Sequence, residues 1–167
     1  MMLQLVKQSA QSRSLDEVDR RLLATLAVAP RAGALEISRR MGIARNTVSS
    51  RLDKLTAAGV VAGFGPEIDL AAIGYRVSAY VTLEIAQGRG GQVTEHLERV
   101  PQVVEAHRTT GAGDLLCRVV AVSNAHLAEV LDRILEVPGI TRTTTSLVLD
   151  TPVPTRVLPA IEALPAR

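Results

Sequence analysis

Between Ala44 and Gly59 the chain reads ARNTVSSRLDKLTAAG, and its polar residues are spaced to do one kind of chemistry. Val48, Leu52 and Leu55 fall at i, i+4 and i+7, which gathers them on one stripe of a helix. Arg45, Asn46, Ser49, Ser50 and Lys54 then point away from that stripe. Guanidinium, amide and hydroxyl groups on one exposed helix face donate to phosphates and to base edges in a major groove. A solvated basic surface helix would carry the same residue types, so the elements around this one decide.

Those elements are short. Glu36 to Met41 reads as a helix, Gly42-Ile43 as a tight turn, and the stretch above as the next helix, which together make a helix-turn-helix. Upstream, Ser14 and Glu17 have the spacing of a capping box. Leu15, Val18, Leu22, Leu23 and Leu26 carry helical periodicity from there to about Val28, with Pro30 as the stop. Downstream, Val60 to Asp69 offers two extended pieces around a Gly/Pro turn, a hairpin signal that reads as a wing. From Arg31 to Lys54 the basic residues are Arg31, Arg39, Arg40, Arg45, Arg51 and Lys54, against Glu36 and Asp53, within a chain of net charge +2. The positive field thus sits on the candidate DNA-binding element.

The second half changes period. Val77, Ala79, Val81, Leu83 and Ile85 alternate with polar residues as a strand does. A helix around Val93, Leu97 and Val100 follows, then strands over 103–110 and 115–122, a helix from Leu127 to Leu135 capped by Ser123, and a last strand over 140–149. The order β-α-β-β-α-β is the ferredoxin-like split βαβ arrangement. The chain is therefore expected to be α+β. An arm (1–13) precedes a winged helix-turn-helix (14–69), a linker (70–74), a ferredoxin-like regulatory and oligomerisation domain (75–150) and an irregular tail (151–167). The sheet face opposite its helices carries Tyr80 and needs a partner, which implies dimerisation.

Several function classes find no support. Phe64, Tyr75 and Tyr80 are the only aromatics, so stacking of single-stranded bases lacks platforms. Cys117 is alone in an apolar run, and His96, His107 and His126 lie on separate elements without ligand spacing. Gly88-Arg89-Gly90-Gly91 lacks the spacing of a dinucleotide fingerprint. No catalytic residue, metal site or cofactor is expected from these residues. With no signal-peptide pattern and no span of transmembrane length, a cytoplasmic, nucleoid-associated location is expected.

LDEVDRRLLATL, EISRRMGIARNTVSSRLDKLTAAGVVAGF, TTGAGDLLCRVV and ITRTTTSLVL, in this order, resemble the Lrp/AsnC or feast/famine family of transcription regulators from about Leu15 to Leu149. The resemblance implies an amino-acid-responsive regulator that dimerises and assembles further, to tetramers or octamers. By it Arg45, Asn46, Thr47, Ser49 and Ser50 match the groove-facing helix, with Arg45 and Asn46 assigned to base edges. Thr47, Arg39, Arg40 and Arg51 are assigned to phosphates or to structural ion pairs, for Arg51 with Asp53 or Glu36. Ala44 departs from relatives that have Ser or Thr there, which removes a helix cap. Gly111 and Asp114 match a glycine-x-x-aspartate turn that borders the effector site, with Gly113 inside it, and Thr143 and Thr145 match positions on the last strand that approach the ligand. A carboxylate suits an α-ammonium group, and turn N–H groups suit an α-carboxylate. Two rivals share the architecture: sirohaem decarboxylase-type enzymes, which need basic and His residues around a tetrapyrrole cleft, and architectural proteins that bind DNA without sequence preference.

Overall fold

Helix α1 (Glu17–Val28) begins at Asp16, whose carboxylate accepts the Asp19 N–H at 2.8 Å. The expected capping box is thus replaced by an aspartate cap. Asp16 also receives the Arg51 guanidinium, and a charged acceptor so held outcompetes the Ser14 hydroxyl. In the computed structural model, which describes residues 14–164, the chain divides into two compact units. Residues 14–66 and 153–164 form the first and Glu67–Pro152 the second. The arm expected over 1–13 lies outside the described residues.

In the first unit α1 is followed by α2 (Ala34–Met41) and α3 (Arg45–Ala57). Gly42 takes φ 69° to end α2, a left-handed conformation that costs glycine nothing and other residues about 1 kcal/mol or more. Its neighbour Ile43 offers a carbonyl to the Ser38 hydroxyl at 2.7 Å, and Arg21 donates to the Met41 carbonyl at 3.0 Å. The α2–α3 turn is held from both sides. Leu22, Ile37, Met41, Val48 and Leu55 form a buried aliphatic core, with Val18, Leu26, Ile43 and Leu52 packed around it.

The hairpin expected over Val60–Asp69 does not pair in the structure. Val60 and Val61 both direct their N–H groups to the Leu55 carbonyl, closing the end of α3 instead of starting a ladder. Pro66 then removes a donor, and Gly63 and Gly65 leave little to pack. The tail also differs from expectation: Leu158–Glu162 forms a short helix, α6, which lies against α1.

In the second unit β1 (Val77–Ile85), α4 (Gly90–Glu98), β2 (Val103–Arg108), β3 (Leu115–Ala121), α5 (Asn124–Leu135) and β4 (Ile140–Leu147) follow in order. The sheet order is β2-β3-β1-β4, every pair antiparallel. Val93 and Leu97 of α4 and Leu127, Val130 and Ile134 of α5 pack on Ala79, Val81, Leu83, Leu115, Cys117 and Val119. The opposite sheet face carries Tyr80, which pairs in register with Arg118 and Ser146 and is 42% exposed. Before β1, the Asp69 carboxylate accepts the N–H groups of Ala71 and Ala72, so Asp69–Tyr75 is a capped turn rather than extended chain.

Candidate nucleic-acid interface and ligand-domain turn

Burial of Val48 and Leu55 fixes which side of α3 faces out. Arg45, Asn46, Thr47, Ser50 and Lys54 are exposed, and Ser49 is half-buried at the flank. Asp53 shares the outer face but sits towards the C-terminal end. The N-terminal half of the helix is therefore the part without acidic side chains. Ala44 supplies no side-chain cap, as its methyl requires. On α2, Arg39 and Arg40 are exposed, and Arg40 Nε donates to Glu36 Oε1 at 3.0 Å.

Arg51 is the exception among the predicted DNA contacts. Its Nη1 donates to Asp16 Oδ2 at 2.6 Å and to Asp19 Oδ1 at 2.7 Å. It takes the structural alternative, with neither Asp53 nor Glu36 as partner. Asp19 is buried, the one buried charged residue of the described chain, and the guanidinium compensates it. The Asp19 N–H first and Arg51 second hold the Asp16 carboxyl below its ordinary value, and the two carboxylates raise Arg51 above its own. Asp16 and Asp19 stand one turn apart at the start of α1. Their i, i+3 spacing with an arginine on a packed neighbour was the available signal.

In the second unit the turn between β2 and β3 is tied on three sides. Gly111 adopts φ 108°. The Thr109 hydroxyl donates to the Gly113 carbonyl at 2.8 Å, and the Asp114 N–H to the Leu83 carbonyl at 2.8 Å. Asp114 Oδ2 accepts the Ile85 N–H at 2.6 Å. That bond falls where the β1–β4 register slips between Glu84 and Ile85, so Asp114 pins a bulge. A Cβ added to Gly113 would lie 2.3 Å from Thr82 Cγ2, so the turn lies directly over Thr82.

The structure brings Gly111, Gly113 and Asp114 together. It sets Thr143 and Thr145 apart from them, because they pair with the core residues Leu83 and Val81 and so share the helix-covered face. Thr82 pairs instead with Thr144, on the other face. Thr82 and Ile85 are the turn's neighbours that sequence reading missed, since only strand register reveals them.

The remaining reactive groups are engaged elsewhere. Burial pushes the Cys117 thiol up to about 11, away from the thiolate range. His96 Nε2 meets the Arg133 carbonyl at 2.7 Å, and His126 Nδ1 accepts the Val122 N–H at 3.3 Å. Among the described residues no group of His, Cys, Asp and Glu is placed to hold a metal, and no helix is long and apolar enough to cross a membrane.

Comparison with known proteins matches residues 15–62 to a winged helix-turn-helix DNA-binding family and residues 78–158 to the Lrp/AsnC ligand binding domain. The HTH-type transcriptional regulator FL11 of Pyrococcus horikoshii is 33% identical over 87% of this chain and 96% of its own length. The chain belongs to the Lrp/AsnC family. Escherichia coli AsnC superposes with a TM-score of 0.82 at 25% identity, covering 88% of this chain and all of AsnC. The feast or famine regulatory protein Rv3291c of M. tuberculosis, solved with L-methionine, superposes at 0.79 with 28% identity, over 86% of this chain and 97% of its own. As an Lrp/AsnC protein the chain is a DNA-binding transcriptional regulator with a ligand-binding domain, and its relatives are regulators rather than enzymes. The winged helix-turn-helix and the βαββαβ sheet domain expected from sequence are thereby established, although Val60–Asp69 forms no ladder here.

Proposed function

We propose that the N-terminal half of α3 reads an operator sequence and that an amino acid held at the Gly111–Asp114 turn adjusts the affinity. The carrying observation is the outer face of α3, where Arg45, Asn46 and Ser50 are exposed while Arg51 is committed to Asp16 and Asp19. Arg45 and Asn46 address base edges, and Arg39, Arg40, Thr47 and Lys54 address phosphates. Asp114 Oδ2 already holds the Ile85 N–H, which leaves its outer oxygen to meet an α-ammonium group. The Tyr80 face of the sheet supports a homodimer, and further assembly to a tetramer or octamer would bring several recognition helices to one DNA. A dimer of this kind fits a near-palindrome with half-sites about one helical turn, or a multiple, apart. The work is that of a cytoplasmic, nucleoid-associated protein.

The experiment is retention of the protein's own upstream DNA against an unrelated fragment at near-physiological salt, with and without amino acids, L-methionine first. Specific retention that changes with one amino acid is the expected result. Equal retention of both fragments would replace the reading by non-specific, architectural binding. Specific retention that no amino acid alters would remove the effector.

A further inference from the structure

We propose that Arg21 is a positioning residue for DNA reading: it sets where Arg45 and Asn46 are presented and makes no DNA contact of its own. By charge alone it would join the phosphate contacts, as an exposed arginine of the DNA-binding unit. Its Nη2 instead donates to the Met41 carbonyl at 3.0 Å. That carbonyl closes α2 and belongs to the last four, which have no partner within their own helix. A cationic donor there also faces the negative end of the helix dipole. Gly42 follows at φ 69°, so the chain turns towards α3 directly beyond the residue that Arg21 holds.

The recognition helix needs such a hold from outside. Arg51 ties its middle to Asp16 and Asp19 of α1, but Arg51 lies about 9 Å along the helix from Arg45. The reading end takes its direction from Val48 in the core and from the turn Gly42-Ile43-Ala44. Neither helix stiffens that turn with a cap, since Gly33 before α2 and Ala44 before α3 make no side-chain cap bond. Two side chains hold it instead. Ser38 donates to the Ile43 carbonyl at 2.7 Å but belongs to α2 itself, so it moves with the turn. Arg21 comes from α1, the helix that also holds Arg51, and so refers the turn and the middle of α3 to one frame. The two ties together fix the angle of α3. Hydrogen bonds to base edges weaken steeply when misaligned, whereas phosphate attraction is long-range and carries no sequence information. Loss of Arg21 therefore falls on specific binding. The tie itself stands apart from the operator reading, and its effect on DNA binding rests on that reading.

The test compares the full-length wild type with Arg21→Met, which keeps the stem and removes the donors, and with Arg21→Lys, which keeps one. All measurements are made at a temperature where melting curves show each chain folded. Hydrogen exchange over residues 42–48 should rise at least threefold in Arg21→Met and stay within twofold of wild type in Arg21→Lys. Affinity for the protein's own upstream DNA should fall at least tenfold in Arg21→Met and recover in Arg21→Lys. Affinity for an unrelated fragment should change less than twofold, and the salt dependence of binding should keep its wild-type slope. Unchanged exchange over 42–48 in Arg21→Met would overturn the tie. Faster exchange with undiminished upstream affinity would overturn its part in DNA reading. An equal loss on both fragments, with a salt slope shallower by about one unit, would make Arg21 a phosphate contact and overturn the proposal. A wild type that retains both fragments equally would defeat the operator reading alone, because exchange over 42–48 still decides the tie.

Discussion

Arg51→Met removes the guanidinium that joins α3 to the start of α1 and keeps an apolar stem of similar reach. Its Asp19 partner is 3% exposed, and leaving one member of a buried pair uncompensated costs about 3–5 kcal/mol. Two observations reduce that figure. The Arg51 side chain is 27% exposed, so water reaches the site, and the Asp16 limb is 54% exposed, where an ion pair contributes about 0–1 kcal/mol. The expected loss is about 2–3 kcal/mol, which for a unit of this size lowers its melting point by roughly 10–20 °C. Circular dichroism at a helical wavelength, against temperature and urea, reads it. Asp19→Asn should cost less, and the double variant should show a coupling of at least about 1 kcal/mol. At a temperature where the variant is folded, its preference among DNA sequences should match the wild type. Wild-type stability together with a salt dependence of DNA binding shallower by about one unit would refute the argument and return Arg51 to the phosphates.

Arg45→Ala with Asn46→Ala should relax sequence preference by about 1–3 kcal/mol for each base pair no longer read, without altering the melting curve; an unchanged binding profile would take this helix out of the readout. Ala44→Ser should add about 0.5–1 kcal/mol by capping α3, measured by urea unfolding. Gly113→Ala should cost about 1–3 kcal/mol because its Cβ meets Thr82 Cγ2, and Thr82→Ala in the same chain should recover most of it; an undiminished loss would place the strain elsewhere. Two titrations have opposite signs. The lowered Asp16 pKa stabilises the fold fully above about 3.8, its unfolded value, and that contribution disappears as pH falls through the lower folded value, whereas Asp16→Asn should lack this acid step. The raised Cys117 pKa leaves stability intact below about 9.0 and erodes it from there towards about 11, and Cys117→Ala should be flat over that window.

What the sequence made legible was whatever repeats with a period. The strand from Val77 to Ile85 and the helix ending at Val28 agree with their patterns because a buried face imposes a spacing of two or of 3.6 residues. What escaped depended on partners distant in sequence. Asp16 supplants Ser14 as the cap because Arg51, 35 residues on, draws it in. Val60 and Val61 have strand-like side chains, but the Leu55 carbonyl takes their N–H groups first. For the candidate effector turn, the family resemblance marked Gly111 and Asp114, and only register separates Thr143 and Thr145 from Thr82 and Thr144.

The bond between Arg20 and Leu164 spans 144 positions in the sequence. During synthesis α1, α2 and α3 leave the ribosome early and can pack around Leu22 and Ile37 at once, since the residues that meet there are close in sequence. The outer side of α1 has to wait until the whole sheet domain and residues 158–164 have been made. A nascent chain therefore carries a DNA-binding unit whose three helices can pack before its outer side is covered, and covering it requires closing a loop of 144 positions. A stall or frameshift near residue 150 would leave the three helices and the sheet in place and the closure unmade.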